Sequence, residues 1–125
     1  MAHWNVILTV TTDATGDGTA TATKSVAGWI EKIVCTDGTL ANSHTLSLSA
    51  TSTPSGVDET LWSTTAGDTN SDTNTNPVVA NRDQAYDTLS GQYTRIYAVG
   101  KLKLTVAAGG SGGVGGITVY GWDLN

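Results

Sequence analysis

Residues 100–122 read GKLKLTVAAGGSGGVGGITVYGW. Apolar residues alternate with polar or small ones before the glycine tract and again after it, at Leu102, Leu104, Val106, Ile117 and Val119. A period of two residues is typical of a strand that buries one face. The stretch therefore predicts two strands, with the tract at 109–116 as a hairpin connection between antiparallel neighbours.

The spacing of Gly110, Gly112 and Gly115 also matches the G-x-G-x-x-G pattern of a dinucleotide-binding loop. In such a loop, a helix must follow the glycines, because its N-terminus holds the pyrophosphate. Here an alternating strand pattern follows instead. The tract is therefore predicted to be a turn that binds no nucleotide.

Period-two alternation recurs along the rest of the chain, in the runs WNVILTVTT (4–12), AGWIEKIVC (27–35), HTLSLSA (44–50) and QYTRIYAV (92–99). Weaker strand patterns cover residues 19–23, 59–63 and 77–81. No segment carries a helical apolar stripe, and turn residues separate the runs. The pattern predicts an all-β fold, an antiparallel β-sandwich of jelly-roll-like form.

The whole chain, residues 1–125, is predicted to form a single domain, since its length suits one core. Residues 64–77 read TTAGDTNSDTNTNP and are predicted to be one long polar loop. Residues 1–5 are predicted to act as an N-terminal arm that orders on a partner.

The composition limits the classes of partner. The net charge is −5, only six residues are Lys or Arg, and charged residues make up 14% of the chain. Nucleic acids and anionic membranes both require clustered cations, so neither is an expected partner. The opening MAHWNVILTV has no basic segment, and a single cysteine precludes an intrachain disulfide. Both features predict a protein made in a reducing compartment.

No group of residues indicates an enzyme, a metal or a cofactor. The runs at 68–72 and 13–18 resemble the start of a calcium loop but lack the acidic twelfth position, so both are predicted to be polar turns. His3 and His44 form no catalytic set by spacing, and Cys35 alternates with apolar residues as a buried side chain would.

The aromatic residues are the best candidates for a binding surface. Trp29 lies within a strand pattern and is predicted to belong to the core. Trp4, Trp62 and Trp122 lie near the termini or beside the polar loop, and at least one of them is expected to be exposed. Because tryptophan combines a large apolar body with a polar tip, these three residues are predicted to contact a partner.

Two segments, GWIEKIVCTDGTLANSHTLSLSA (28–50) and YAVGKLKLTVAAGGSGGVGGITVYGW (97–122), resemble small virion proteins of tailed bacteriophages. The matching positions are 30–39, 45–48, 100–110 and 116–120, whereas residues 51–80 depart from the pattern. The resemblance implies a head decoration (cement) protein on the capsid surface. It also implies two kinds of partner, the major capsid protein and copies of the chain itself.

Two other classes remain open from the sequence. One is a carbohydrate-binding β-sandwich module that stacks exposed Trp and Tyr rings on sugars. The other is a neck or tail component of a virion.

Overall fold

The computed structural model describes residues 2–36, 38–41, 43–51, 59–64, 73–75, 78–82 and 88–123. These residues form strands and turns, with no helix among them. The strands are β1 (His3–Thr11), β2 (Gly18–Thr36), β3 (Thr45–Thr51), β4 (Glu59–Thr64), β5 (Thr73–Thr75), β6 (Val78–Arg82), β7 (Thr88–Arg95), β8 (Tyr97–Ala107) and β9 (Val114–Asp123).

The main sheet is antiparallel and has the strand order β1-β9-β2-β8-β3-β4, while the short β5 also pairs with β2. Among the described residues, strands β6 and β7 pair with each other and with no other strand. The all-β antiparallel class expected from the alternation is confirmed. The finer expectation of a jelly-roll-like sandwich is not confirmed, because most strands belong to a single hydrogen-bonded sheet.

Strand β2 is 19 residues long and has different neighbours along its length. Its first part pairs with β8 as far as Trp29, and its second part pairs with β9 from Gly28 onward. Gly28 marks the crossover, where a Cβ atom would lie 1.9 Å from the carbonyl oxygen of Trp122. Only glycine fits there without moving the backbone of β9.

Side chains from β1, β2, β3, β4, β8 and β9 share one buried cluster. Strands from both ends of the sheet contribute to it, so the sheet curves around a common core. The fully buried large apolar residues are Val10, Ile30, Ile33, Leu40, Leu48, Leu102, Leu104, Val106, Ile117 and Val119. The inward faces predicted for β8 and β9 are confirmed.

Strand β2 departs from the predicted alternation. A bulge between Ile30 and Lys32 shifts the register against β9. As a result Ile30, Ile33 and Cys35 are buried, whereas Trp29 is only half-buried. The expectation that Trp29 belongs to the core is wrong, because an extra residue in a strand reverses which side chains face inward.

The glycine tract is not a hairpin between neighbours. Strands β8 and β9 are antiparallel to β2 on its two opposite edges, so β2 lies between them. The tract instead crosses from one part of the curved sheet to the other. Alternation predicted both strands correctly, but it carries no information about which strand inserts between them.

The crossing is held by buried hydrogen bonds to the β1–β2 loop. The Thr12 hydroxyl accepts a hydrogen bond from the Gly113 amide at 2.8 Å and donates one to the Gly110 carbonyl. The Gly109 amide donates to the Gly16 carbonyl at 2.8 Å, and the Ala41 amide donates to the Gly109 carbonyl at 2.9 Å. Three loops are thereby joined at one end of the fold.

Two further expectations are corrected. Residues 3–5 belong to β1 and pair with β9, so they do not form a free arm. Within the expected polar loop at 64–77, Thr64 ends β4 and Thr73–Thr75 form β5. Residues 65–72 and 76–77 lie outside the described residues, and with them the whole calcium-like run at 68–72.

Candidate contact surface

An aromatic row crosses four neighbouring strands on the outer side of the sheet. In the registers of β1, β9, β2 and β8, His3 is opposite Trp122, Trp122 is opposite Trp29, and Trp29 is opposite Tyr97. Tyr120 lies one outward position further along β9. We call these five residues the aromatic face.

The rings of the aromatic face contact one another in pairs. Trp29 and Tyr97 meet edge to face, with ring centroids 5.1 Å apart. His3 meets Trp122 edge to face at 4.7 Å and stacks on Tyr120 at 5.9 Å. Such contacts restrict the rotamers of large side chains before any partner arrives, which lowers the entropic cost of binding.

Charged groups border one side of the aromatic face. The Trp122 Nε1–H donates a hydrogen bond to Glu31 Oε2 at 2.9 Å, and His3 Nε2 lies 3.6 Å from the same oxygen. The Lys32 ammonium lies 5.0 Å from the centroid of the Tyr120 ring, within the range of a cation–π contact. His3, Glu31, Lys32 and Tyr120 line a shallow depression.

The position of Glu31 follows from the bulge in β2. Glu31 is the extra residue between Ile30, which faces Gly121, and Lys32, which faces Tyr120. The bulge leaves the Glu31 carboxylate half-exposed on the outer side, where it reaches Trp122. Without this bulge a regular alternation would place Glu31 and Lys32 on opposite faces.

The outer side beyond the aromatic face has a different chemistry. The first part of β2 presents exposed hydroxyl-bearing side chains, which are Thr19, Thr21, Thr23 and Ser25. Half-exposed Ser47 and Thr51 continue this character on β3, and Lys101 and Lys103 stand between the two strands. Among the described residues, the outward-facing aromatic side chains therefore lie together at one end of the sheet.

The three predicted contact residues are not brought together. Trp122 belongs to the aromatic face, but Trp4 and Trp62 are half-buried and pack against the core cluster. Trp4 covers Gly121, and its buried Nε1–H has no hydrogen-bond partner among the described residues. None of the three tryptophans is fully exposed, which differs from the expectation.

The sequence pattern did not predict that His3, Trp29, Tyr97 and Tyr120 belong to one surface. These residues come from four strands that are distant in the chain, and only the pairing register places them side by side. One signal was present: Tyr97, Tyr120 and Trp122 all fall on the polar side of their alternating runs. Aromatic residues at such positions indicate a surface that a partner can cover.

Other chemically active side chains lie away from the aromatic face. Cys35 is a buried thiol, as predicted. His44 is buried, and its Nδ1–H donates a hydrogen bond to the Ala41 carbonyl at 2.7 Å, so this ring supports a loop. Among the described residues, no three His, Cys, Asp or Glu side chains lie close enough to hold a metal ion.

The Asp13 side chain organises the turn between β1 and β2. Asp13 Oδ1 accepts hydrogen bonds from the Thr15 amide at 2.9 Å, the Thr15 hydroxyl at 2.7 Å and the Asp17 amide at 3.1 Å. The bond from the Thr15 hydroxyl, followed by those from backbone amides, lowers the pKa of Asp13 below its usual value.

No protein-family model matches the chain, no curated protein matches it, and no solved structure matches it. Within the described part of the chain, no helix is long and apolar enough to cross a membrane.

Proposed function

We propose that the chain is a non-enzymatic structural protein of a tailed-bacteriophage virion, which decorates and stabilises the capsid surface. One observation carries the proposal: the row His3, Trp122, Trp29 and Tyr97 across four adjacent strands. The row offers a contact surface of rings on a rigid sheet. Residues 28–50 and 97–122 resemble small virion proteins, and this resemblance is the reason for proposing a phage virion as the assembly that the surface contacts.

The chemistry of the aromatic face suits a protein partner. Tyr and Trp side chains bury a large area with few rotatable bonds, and they are enriched among the residues that dominate binding energy at interfaces. The Glu31 and Lys32 side chains at the border supply a polar rim, which is the usual arrangement around an apolar interface core. The Thr- and Ser-bearing strands remain as a hydrated outer surface.

The expected partners are the major capsid protein and copies of the chain itself, in the virion after assembly in the host cytoplasm. A capsid presents the same site many times, so neighbouring copies repeat one contact under a common symmetry. If copies on neighbouring sites also touch, the combined affinity exceeds that of one contact by orders of magnitude. A modest interface on a small domain is then sufficient for stable attachment.

The direct test is co-sedimentation with capsids of the encoding phage, purified without the protein. We expect saturable binding by the parent and binding weakened about tenfold or more by Tyr97→Ser, since truncation of an aromatic anchor costs about 2 kcal/mol or more. Tyr97 is 36% exposed, so the substitution leaves the core intact.

Val114→Ser is the matched control. Val114 is 40% exposed and lies at the start of β9, whereas the aromatic face lies near the end of that strand. We expect this variant to bind as the parent does. Equal binding by all three proteins would refute the assigned contact surface, and absence of parent binding to capsids would refute the decoration role.

A carbohydrate-binding module is the second candidate. The depression lined by His3, Glu31, Lys32 and Tyr120 favours it, because sugars bind where a ring lies beside hydrogen-bonding groups. A glycan array and quenching of tryptophan fluorescence by the bound sugar distinguish this role from capsid attachment. Recovery of the protein on purified tails or necks, but not on heads, would instead identify a neck or tail component.

A further inference from the structure

Strand β1 forms one edge of the main sheet. Among the described residues it pairs only with β9, through nine consecutive residue pairs without a bulge. The Asp123 amide donates a hydrogen bond to the Ala2 carbonyl at 2.8 Å, and the Thr12 amide donates to the Gly113 carbonyl at 2.8 Å. Even-numbered residues of this segment therefore bond to β9.

Because bonding alternates along an antiparallel pair, the odd-numbered residues of β1 direct their backbone groups away from β9. His3, Asn5 and Ile7 thus present N–H and C=O groups at the sheet edge. Their side chains are also exposed, and Ile7 is 71% exposed. These backbone donors and acceptors are placed so that another strand could pair with them.

Within its own sequence and its described pairing, β1 lacks charged residues, proline and a bulge, which are features by which edge strands usually avoid pairing. The β1 sequence HWNVILTVT has no proline, lysine, arginine, aspartate or glutamate, and its pairing with β9 is regular. The far end is partly covered, since a Cβ atom on Gly18 would lie 3.0 Å from the Thr11 carbonyl oxygen. Within the described part of the chain, the remaining segment, residues 3–7, has exposed side chains at His3, Asn5 and Ile7, and Asn5 also lines an open cavity with Lys24 and Ser25 of β2.

We propose that a second copy of the chain binds this edge through its own β1, antiparallel, with the two-fold axis at Asn5. His3 of each copy then lies opposite Ile7 of the other, and the two Asn5 residues face each other. All paired positions are odd-numbered, so every free donor meets a free acceptor. Three such pairs supply about six backbone hydrogen bonds.

The chemistry of residues 3–7 selects a second copy as the occupant. Residues 3–7 include no Asp, Glu, Lys or Arg, so the paired segments of two copies bring no like-charged pair of these residues together. The Asn5 amides can donate to and accept from each other across the axis. Dimerisation would also bring two aromatic faces to the same side of one continuous sheet, since His3 ends the aromatic row on β1. This pairing does not depend on the proposed capsid role.

Sedimentation equilibrium of the parent, Asn5→Asp and Thr9→Asp tests the proposal. We expect a parent dimer that Asn5→Asp weakens at least about fourfold, because two carboxylates would face each other about 5 Å apart. Thr9→Asp adds the same charge to the same exposed side of β1, outside the paired segment, and should dimerise as the parent does. A parent that stays monomeric at about millimolar concentration, or equal effects of the two substitutions, would overturn the proposal.

Cysteine cross-linking provides a positive test that does not depend on a loss of binding. Opposed residues in a hydrogen-bonded pair have Cα atoms about 5.5 Å apart, within disulfide range. We expect Asn5→Cys to form a covalent dimer under mild oxidation and Thr9→Cys to remain monomeric, while buried Cys35 does not react. Equal cross-linking of both variants, or of neither, would contradict the two-fold register.

Discussion

Replacing Thr12 with valine should destabilise the fold more than its small change in shape suggests. The Thr12 side chain is 4% exposed, and its hydroxyl bridges the Gly113 amide at 2.8 Å and the Gly110 carbonyl. Valine has nearly the same shape but neither donates nor accepts. Water cannot take over the hydroxyl's role at a site buried to this degree.

The cost follows from the groups left without partners. An unsatisfied buried amide costs about 1–3 kcal/mol, and loss of the second hydrogen bond adds about 1 kcal/mol. Thr12→Val should therefore reduce the free energy of unfolding by roughly 2–4 kcal/mol, a large part of the 5–15 kcal/mol typical of a domain. Thr12→Ser keeps both bonds and loses one methyl group near Gly109, which costs about 1 kcal/mol.

Urea unfolding of the parent, Thr12→Val and Thr12→Ser measures these differences. The comparison requires that the slope of the unfolding free energy against urea concentration is the same for the three proteins. The order of stability should be parent, then serine, then valine. If burial of apolar atoms rather than hydrogen bonding holds the glycine crossing, valine would be more stable than serine. That reversed order would show that the Thr12 hydroxyl does not hold the crossing. Thr9→Val, on the exposed side of β1, should change stability by less than about 0.5 kcal/mol.

Further substitutions probe the turns and the crossover. The pKa of Asp13 is lowered in the fold, so its stabilising effect is complete above the unfolded pKa near 4 and is lost as pH falls through the folded pKa. Asp13→Asn should therefore destabilise the protein at pH 7, and the difference in melting temperature from the parent should shrink below about pH 4. Gly28→Ala should cost about 3 kcal/mol or prevent folding, because its Cβ would overlap the Trp122 carbonyl. Gly112→Ala, with no atom within 4 Å but φ of +67°, should cost only about 1 kcal/mol in the same thermal assay.

Alternation in the sequence was sufficient to predict the strands and most of their buried faces. Leu102, Leu104 and Val106 are fully buried as expected, because a strand with one inward face leaves a direct period-two signal. The prediction failed in β2, where the bulge before Lys32 adds a residue that composition alone does not reveal. In residues 27–35, apolar and charged residues occur in both alternating sets, and this mixture is consistent with the bulge.

Strand order and the aromatic face could not be predicted from local pattern. The glycine tract follows one strand and precedes another, which favours a hairpin, yet the long β2 lies between them. The site depends on the same long-range pairing, since Trp29 meets Trp122 and Tyr97 only when β2 bonds to β9 on one edge and to β8 on the other. The expected exposure of each single tryptophan therefore did not locate the aromatic face, whereas the pairing register between strands does.

Imaging capsids with the bound protein would show directly whether the aromatic face attaches the domain to the shell. A cryo-EM reconstruction should show the domain repeated at symmetry-related positions on the outside of the capsid. Tyr97, Trp29 and Trp122 should face the shell, and the Thr- and Ser-bearing strands should face solvent. Density found only at the neck or tail, or a domain whose aromatic face points away from the capsid, would contradict the proposed attachment.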